Sequence, residues 1–370
     1  MHRVEEYVNA SKLQYRDALD VIEEFDKEMS EMKGKCIDIG CGPGDVTRRL
    51  ILPKLSPDAE LVGADISKQM IDHARQNYRD EERLTFQQLD IEATTLPSEE
   101  VGQYSNVLSF YCLHWCQNTW RAFENVYKLL RPGGKALIMF LAWNDGFDAY
   151  VRMHENPRYK PYMQDADRYV PFFHRCKDSR AALRKMLDGI GFEVLHCSRR
   201  EKSFIYQNMQ ILKNYTIAVN PFISRIPEDL KEEFEDVVVR EIASRKILFP
   251  NKGDNGQQEY SILDRYHILV AYVRKPSVFA DIFLLRAFGD PSFSYGIEIL
   301  IRSKPRRFFC ASGSVPVRGC FGTKLLNVAY TPKHRAIQAK PCKCVEIEKY
   351  TVGKQSKGNA SKDTTQAEVM

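Results

Sequence analysis

Cys36-Ile37-Asp38-Ile39-Gly40-Cys41-Gly42-Pro43-Gly44-Asp45 decides how the rest of the chain is read. A short apolar run meets an acidic residue, three glycines follow at alternate positions, and a helix-compatible stretch starts at Val46. The order is strand, tight loop, helix N-terminus. Glycine has no Cβ and tolerates positive φ, so such a loop lets a ligand approach the backbone closely. The spacing departs from the dinucleotide fingerprint G-x-G-x-x-G. Gly40 and Gly42 fit its first two slots, but Asp45 stands where Gly or Ala is required.

Strand-helix alternation continues outward from this loop. Tyr15, Ala18, Leu19, Ile22, Phe25 and Met29 fall at helical spacing, so an amphipathic helix over 11–30 precedes the first strand, Lys35–Ile39. A helix over Val46–Leu52 stops at Pro53. Glu60–Ile66 reads as the second strand, and Ser67 caps a helix carrying Met70, Ile71, Ala74 and Tyr78. Strands are expected at Leu84–Leu89, Ser105–Tyr111 and Lys135–Trp143, with a helix over Thr119–Leu130 that ends at Arg131-Pro132-Gly133-Gly134. Successive β-α units predict an α/β fold, a mostly parallel sheet with helices on both faces. Beyond Trp143 a helix over Ser179–Ile190 ends at Gly191, followed by a strand over Phe192–Ser198. The apolar run Tyr266–Val273 is expected as a last strand, antiparallel beside the fifth. Residues 144–178 and 202–258 then become insertions forming a helical cap.

Composition narrows the class. No stretch reaches the ~18 uncharged apolar residues of a membrane span, and the N-terminus lacks a signal peptide's basic-then-apolar order. Ten cysteines spread through 370 residues, several in apolar strands, suit reduced thiols rather than a disulfide framework. A soluble, cytoplasmic protein is expected. The net charge of +5 belongs to the tail. From Pro276 onward there are 15 Lys/Arg against 7 Asp/Glu, so the first 275 residues hold 39 of the 54 basic and 42 of the 49 acidic residues. The body of the protein is slightly acidic, and nucleic acid is not an expected partner. The tail, 276–370, shows no organised periodicity, and its Lys/Ser/Gly/Gln-rich end after Thr351 is expected to be disordered.

Asp38-x-Gly40-x-Gly42-x-Gly44 resembles motif I of class I S-adenosylmethionine-dependent methyltransferases, a Rossmann-like fold. That resemblance implies a cofactor site at the carboxyl ends of the strands, where open α/β sheets bind ligands. Asp38, Gly40, Cys41, Gly42 and Gly44 would surround the methionyl part, through backbone N–H groups of the loop. Asp65, ending the second strand, would accept the ribose hydroxyls, with Ile66 beside the adenine. Asp90 would accept from the adenine amino group, Ile91 would pack on the ring, and Phe110 completes the set. The bland reading of Asp65 is a helix cap.

Phe110-Tyr111-Cys112-Leu113-His114-Trp115, followed by Trp120, makes residues 1 to about 275 resemble the juvenile hormone acid methyltransferase family of arthropods. The resemblance includes the Tyr7…Gln14 helix start and the terminal strand Tyr266–Tyr272. It implies esterification of the carboxylate of farnesoic acid or its epoxide, a small hydrophobic acid as partner, and a carboxylate held by Gln14 and Trp120. His114 and Trp115 would lie where the acceptor sits. Taken alone, Gln14 also reads as an exposed helix residue, Trp120 as a core aromatic and His114 as a core histidine. Tyr150, Met153, Tyr162, Phe172, Phe173 and Tyr206 would suit an apolar chain, although aromatics also build cores. Among rival readings, an N-methyltransferase usually carries Asn/Asp-Pro-Pro-aromatic where this chain has Ser109-Phe110-Tyr111-Cys112. An RNA methyltransferase lacks a recognition module here. Cys112-x-His114-x-Cys116 and Cys342-x-Cys344 each lack the further ligands of a closed zinc site, and no metal is expected. A non-catalytic protein that binds the cofactor is the remaining alternative.

Overall fold

The computed structural model describes residues 4–252 and 258–277, together with strand backbone at 282–290, 294–301 and 327–329. Three helices open the chain: α1 (Val4–Ala10), α2 (Lys12–Glu24) and α3 (Asp26–Ser30). The single helix expected over 11–30 is therefore broken at Phe25, which ends α2 and starts α3.

The sheet follows as β1 (Lys35–Ile39), β2 (Glu60–Asp65), α4 (Lys68–Asn77), β3 (Leu84–Gln88), β4 (Tyr104–Phe110), α5 (Thr119–Leu129) and β5 (Leu130–Asn144). Next come α6 (Asp145–Glu155), α7 (Ser179–Ile190), β6 (Glu193–Tyr206), α8 (Met209–Val219), α9 (Glu228–Ala243), β7 (Ile247–Lys252) and β8 (Gln258–Arg274). Strand order is β3-β2-β1-β4-β5-β8-β6, with β7 also pairing β8. The five strands β3, β2, β1, β4 and β5 are parallel, and β8 runs antiparallel to β5, as expected from the sequence.

Side-chain alternation gives the sheet two cores. Leu137 and Met139 face one with Val21, Ile22 and Ile71. Ala136, Ile138 and Phe140 face the other with Phe123, Leu183 and Leu187. This period of two, on strands buried on both faces, is what helices packed on both sides require. Local chemistry sets several boundaries. Ser67 Oγ accepts from the Met70 N–H, and Gly191 ends α7 at φ 107°.

Two expectations need correction. The helix after the glycine loop winds wide, as a π-turn over Thr47–Ile51, then tightens over Leu52–Lys54, where Pro53 has no N–H to donate. The segment 202–258 is not wholly helical. β6 runs on to Tyr206, and β7 forms a hairpin partner of β8. β6 is an edge strand, and its run Arg199-Arg200-Glu201-Lys202 is charged because alternate side chains meet solvent or α2.

A second unit begins at Ile282. Within it β9 (Ile282–Asp290), β10 (Ser294–Ile301) and β11 (Asn327–Ala329) form an antiparallel sheet in the order β11-β10-β9. The disorder expected after Thr351 and the Cys342-x-Cys344 pair lie outside the described residues.

Candidate active site

β1 and β4 are adjacent, yet their chain connections leave in opposite directions across the sheet, so a crevice opens at their carboxyl ends. The loop after β1 and the loop after β4 meet there. Gly40 has φ 74°, and a Cβ on it would stand 2.2 Å from Cys112 Cβ. Only glycine fits this contact. Asp38 is buried and accepts from Thr47 Oγ1 at 2.7 Å; burial raises its pKa to about 7. Burial, with Asp38 and Asp65 nearby, also pushes the Cys41 thiol up, so it stays protonated.

The loop amides are spent within the protein. Gly40 and Cys41 N–H donate to Ala64 O at 2.7 and 3.0 Å, and Gly44 N–H to Cys41 O at 3.1 Å. The loop therefore offers shape rather than the array of N–H donors expected from sequence. Asp65 Oδ2 accepts from the Gly42 N–H at 3.0 Å and Oδ1 from the Ser67 N–H at 2.8 Å. Each oxygen keeps a second lone pair, which suits a cis-diol, and Asp65 thus holds the loop and remains an acceptor. Burial raises its pKa while those two N–H groups lower it. Ile66 beside it is 62 % exposed, an apolar surface open to solvent. Asp90 is exposed and caps the Glu92 N–H at 2.8 Å. Ile91 and Phe110 are packed into the two cores, Ile91 on the α5 face and Phe110 on the α2 face. The crevice fits S-adenosylmethionine in its glycine cradle and its diol acceptor.

Beside the crevice lies a cavity of about 60 Å³, or about 680 Å³ counting all space between its walls out to the mouth. Gln14, His114 and Trp115 line it with Tyr7 of α1 and Tyr111. Leu141, Phe147, Tyr150, Leu212 and Ile242 give it apolar walls. Tyr7 also reaches within 3.9 Å of where a Gly42 Cβ would be, so α1 touches both compartments. Three buried polar atoms in the wall have no hydrogen-bond partner among the described residues: Gln14 Oε1, His114 Nδ1 and the Tyr206 hydroxyl. His114 is buried and its pKa falls to about 3 for that reason, so the imidazole is neutral. The lining's one carboxylate, Asp264, is neutralised by Lys246, whose side chain is fully covered, and accepts from Asn144 Nδ2 at 3.2 Å.

Asp17 has no signal in the sequence, and Tyr111 stands out there only as part of the Phe110–Trp115 stretch. Tyr111 is the one non-glycine residue with positive φ among the described residues, at 56°, a conformation costing about 1–3 kcal/mol. Its hydroxyl donates to Asp17 Oδ2 at 2.7 Å.

Trp120 is not part of the cavity. It is 43 % exposed, its Nε1–H donates to Glu124 at 2.9 Å, and its ring leans on Gly189 of α7. Helical phase carried the clue: Trp120, Glu124 and Lys128 share a face opposite the buried Phe123 and Val126. Of the cap aromatics, Tyr150 and Tyr206 reach the cavity, whereas Phe173 packs on Phe140 across the sheet and Phe172 is exposed.

This sheet, with its glycine cradle, acidic second-strand end and adjoining cavity, defines a class I S-adenosylmethionine-dependent methyltransferase. A family model described as a methyltransferase domain matches residues 37–136. The chain is 34% identical over 285 residues to a juvenile hormone acid O-methyltransferase of Drosophila melanogaster, covering 76% of this chain and 95% of the relative. It is 31% identical over 278 residues to the enzyme of that name from Bombyx mori, covering 74% and 98%. A malonyl-[acyl-carrier protein] O-methyltransferase of Halalkalibacterium halodurans is 25% identical over 243 residues, 62% of this chain and 85% of that one. The chain belongs to the juvenile hormone acid O-methyltransferase family and is a carboxyl O-methyltransferase.

Proposed function

We propose that the acceptor is a hydrophobic carboxylic acid of the farnesoic or juvenile hormone acid type, held in the cavity under α1 and α2. The observation carrying this reading is the wall chemistry: aromatic and aliphatic sides, neutral polar groups at Gln14 and His114, and no unpaired cation among the described lining residues. A carboxylate is ionised at pH 7, since carboxyl pKa values lie near ~4, so no general base is required. Neutral donors orient it without drawing off its charge. Gln14 supplies its amide N–H once the side chain turns Nε2 rather than the unpartnered Oε1 toward the carboxylate, and His114 supplies a neutral imidazole N–H. Trp115 and Phe147 pack beside them and exclude water. When bound, S-adenosylmethionine supplies a methyl group activated by a sulfonium. The protein's part is alignment, which can contribute ~7–11 kcal/mol when reacting atoms are held in near-attack geometry.

At about 60 Å³ the cavity is smaller than an isoprenoid acid, so binding requires lining side chains to move. We assign the catalytic domain to residues 1–275, with 144–178 and 202–258 covering the pocket. Unpaired thiols at all six described cysteines are in keeping with action in the cytoplasm. Among the described residues no helix is long and apolar enough to cross a membrane.

The test incubates the protein with methyl-labelled S-adenosylmethionine and farnesoic, juvenile hormone, straight-chain fatty and aconitic acids. Label is expected as base-labile methyl ester on the isoprenoid acids. Label on aconitic acid alone, or only on added RNA or protein, would overturn the assignment.

A further inference from the structure

We propose that Asp17 is a positioning residue for methyl transfer: from outside the cavity it fixes Tyr111 in its left-handed conformation and thereby sets the loop bearing His114 and Trp115 against the cofactor crevice. The proposal rests on the carboxyl methyl transfer reading above and deepens it.

Asp17 is fully buried on α2, one turn after Gln14, and does not line the cavity. Its carboxylate is saturated from four directions. Tyr111 and Tyr266 hydroxyls each donate to Oδ2 at 2.7 Å. Arg16 donates to Oδ1 at 2.9 Å and to the Tyr266 hydroxyl at 2.7 Å, while Lys202 Nζ stands 3.5 Å from Oδ1. Arg16 lies beside Asp17 on α2, and the other partners come from β6, β8 and the end of β4. A buried charge so fully paired is rigid, and removing one partner is costly.

What it holds is a strained backbone. A tyrosine at φ 56° returns to the β region unless its surroundings prevent it. The ring of Tyr111 packs edge-on to His114, with centroids 5.9 Å apart, and Cys112, the next residue, presses on Gly40. Release of the hydroxyl would therefore shift acceptor and cofactor groups relative to each other. Gln14, on the same helix as Asp17, keeps its register to both.

The test uses the full-length protein with Tyr111→Phe, which removes one hydroxyl and keeps the ring, and Asp17→Asn. Tyr159→Phe, which loses a buried tyrosine's bond to a carboxylate (Glu233, 2.7 Å) away from the loop, the cavity and Asp17, is the comparison. Turnover is measured on an acid the wild type methylates, and amide exchange is followed at Tyr111, Trp115 and Cys116, whose N–H groups donate to Met139, Cys112 and Leu113 carbonyls. Expected are a 10- to 100-fold fall in kcat for Tyr111→Phe, with KM and S-adenosylhomocysteine affinity within threefold. Exchange at the three loop amides should rise at least tenfold while α7 stays protected. Tyr159→Phe should keep kcat within threefold. Unchanged loop exchange, or a parallel loss of kcat, product affinity and α7 protection, would overturn the proposal. If the wild type methylated no acid, the substrate reading would fall, and the exchange and affinity measurements would still decide the role of Asp17.

Discussion

The two compartments of the site are built differently. The cofactor crevice uses short, contiguous pieces, the glycine loop at 40–44 and Asp65, the proposed diol acceptor, at the end of the next strand. The cavity proposed for the acceptor draws its wall from α1, α2, the β4 and β5 ends, α6, β6, α8, α9 and β8. One is made by backbone shape, which a local sequence can dictate. The other is made by side chains that only the finished fold brings together.

If the acceptor half depends on long-range assembly, the buried Lys246–Asp264 ion pair in its wall is the most sensitive point. Lys246→Met strands the Asp264 charge, and breaking such a pair costs about 3–5 kcal/mol. Denaturant unfolding should show that loss, and a variant as stable as wild type would mean Asp264 is already compensated by Asn144. The cofactor half should break through shape instead. Gly40→Ala puts a Cβ 2.2 Å from Cys112 Cβ. Calorimetry with S-adenosylhomocysteine should show at least a roughly 100-fold weaker Kd, ~2.7 kcal/mol; full affinity would remove the cradle from the account.

A smaller effect separates the compartments by pH. His114, held at about 3 by burial, binds no proton between pH 6.5 and 3, whereas its unfolded form does. Its contribution to stability therefore falls on acidification, by about 2 kcal/mol between pH 7 and 5. Asp38, raised to about 7, acts in the opposite sense over the same window, so the difference between wild type and His114→Gln carries the test. Equal pH dependence in both proteins would show that His114 reaches solvent. The smallest effect is expected at Trp120. Its indole bonds Glu124 on the outer face of α5, so Trp120→Ala should change ester formation less than threefold. A tenfold loss would return Trp120 to the acceptor side.

Legibility in the sequence follows the same division. Lys35–Ile39, the Ser67 cap and the Gly191 stop were readable because strand alternation, capping and positive φ are local effects. Gln14 entered through family resemblance, and the bland alternatives for Gln14 and Trp120 fell the other way round: Gln14 is buried in the cavity wall and Trp120 is exposed. The tie of Asp17 to Tyr111 was invisible because that bond spans 94 positions and the one from Asp17 to Tyr266 spans 249. No spacing rule reaches so far. The extension of β6 through Arg199–Lys202 was hidden for another reason: an edge strand buries too little to leave an alternating apolar pattern.

The central claim is that cradle and cavity divide the work, and Gln14→Ala measured for both functions in one preparation tests it most directly. The account predicts S-adenosylhomocysteine affinity within threefold of wild type and ester formation lowered roughly 100-fold, the scale of losing one preorganised donor. A parallel fall in both would place Gln14 on the cofactor side and contradict the division.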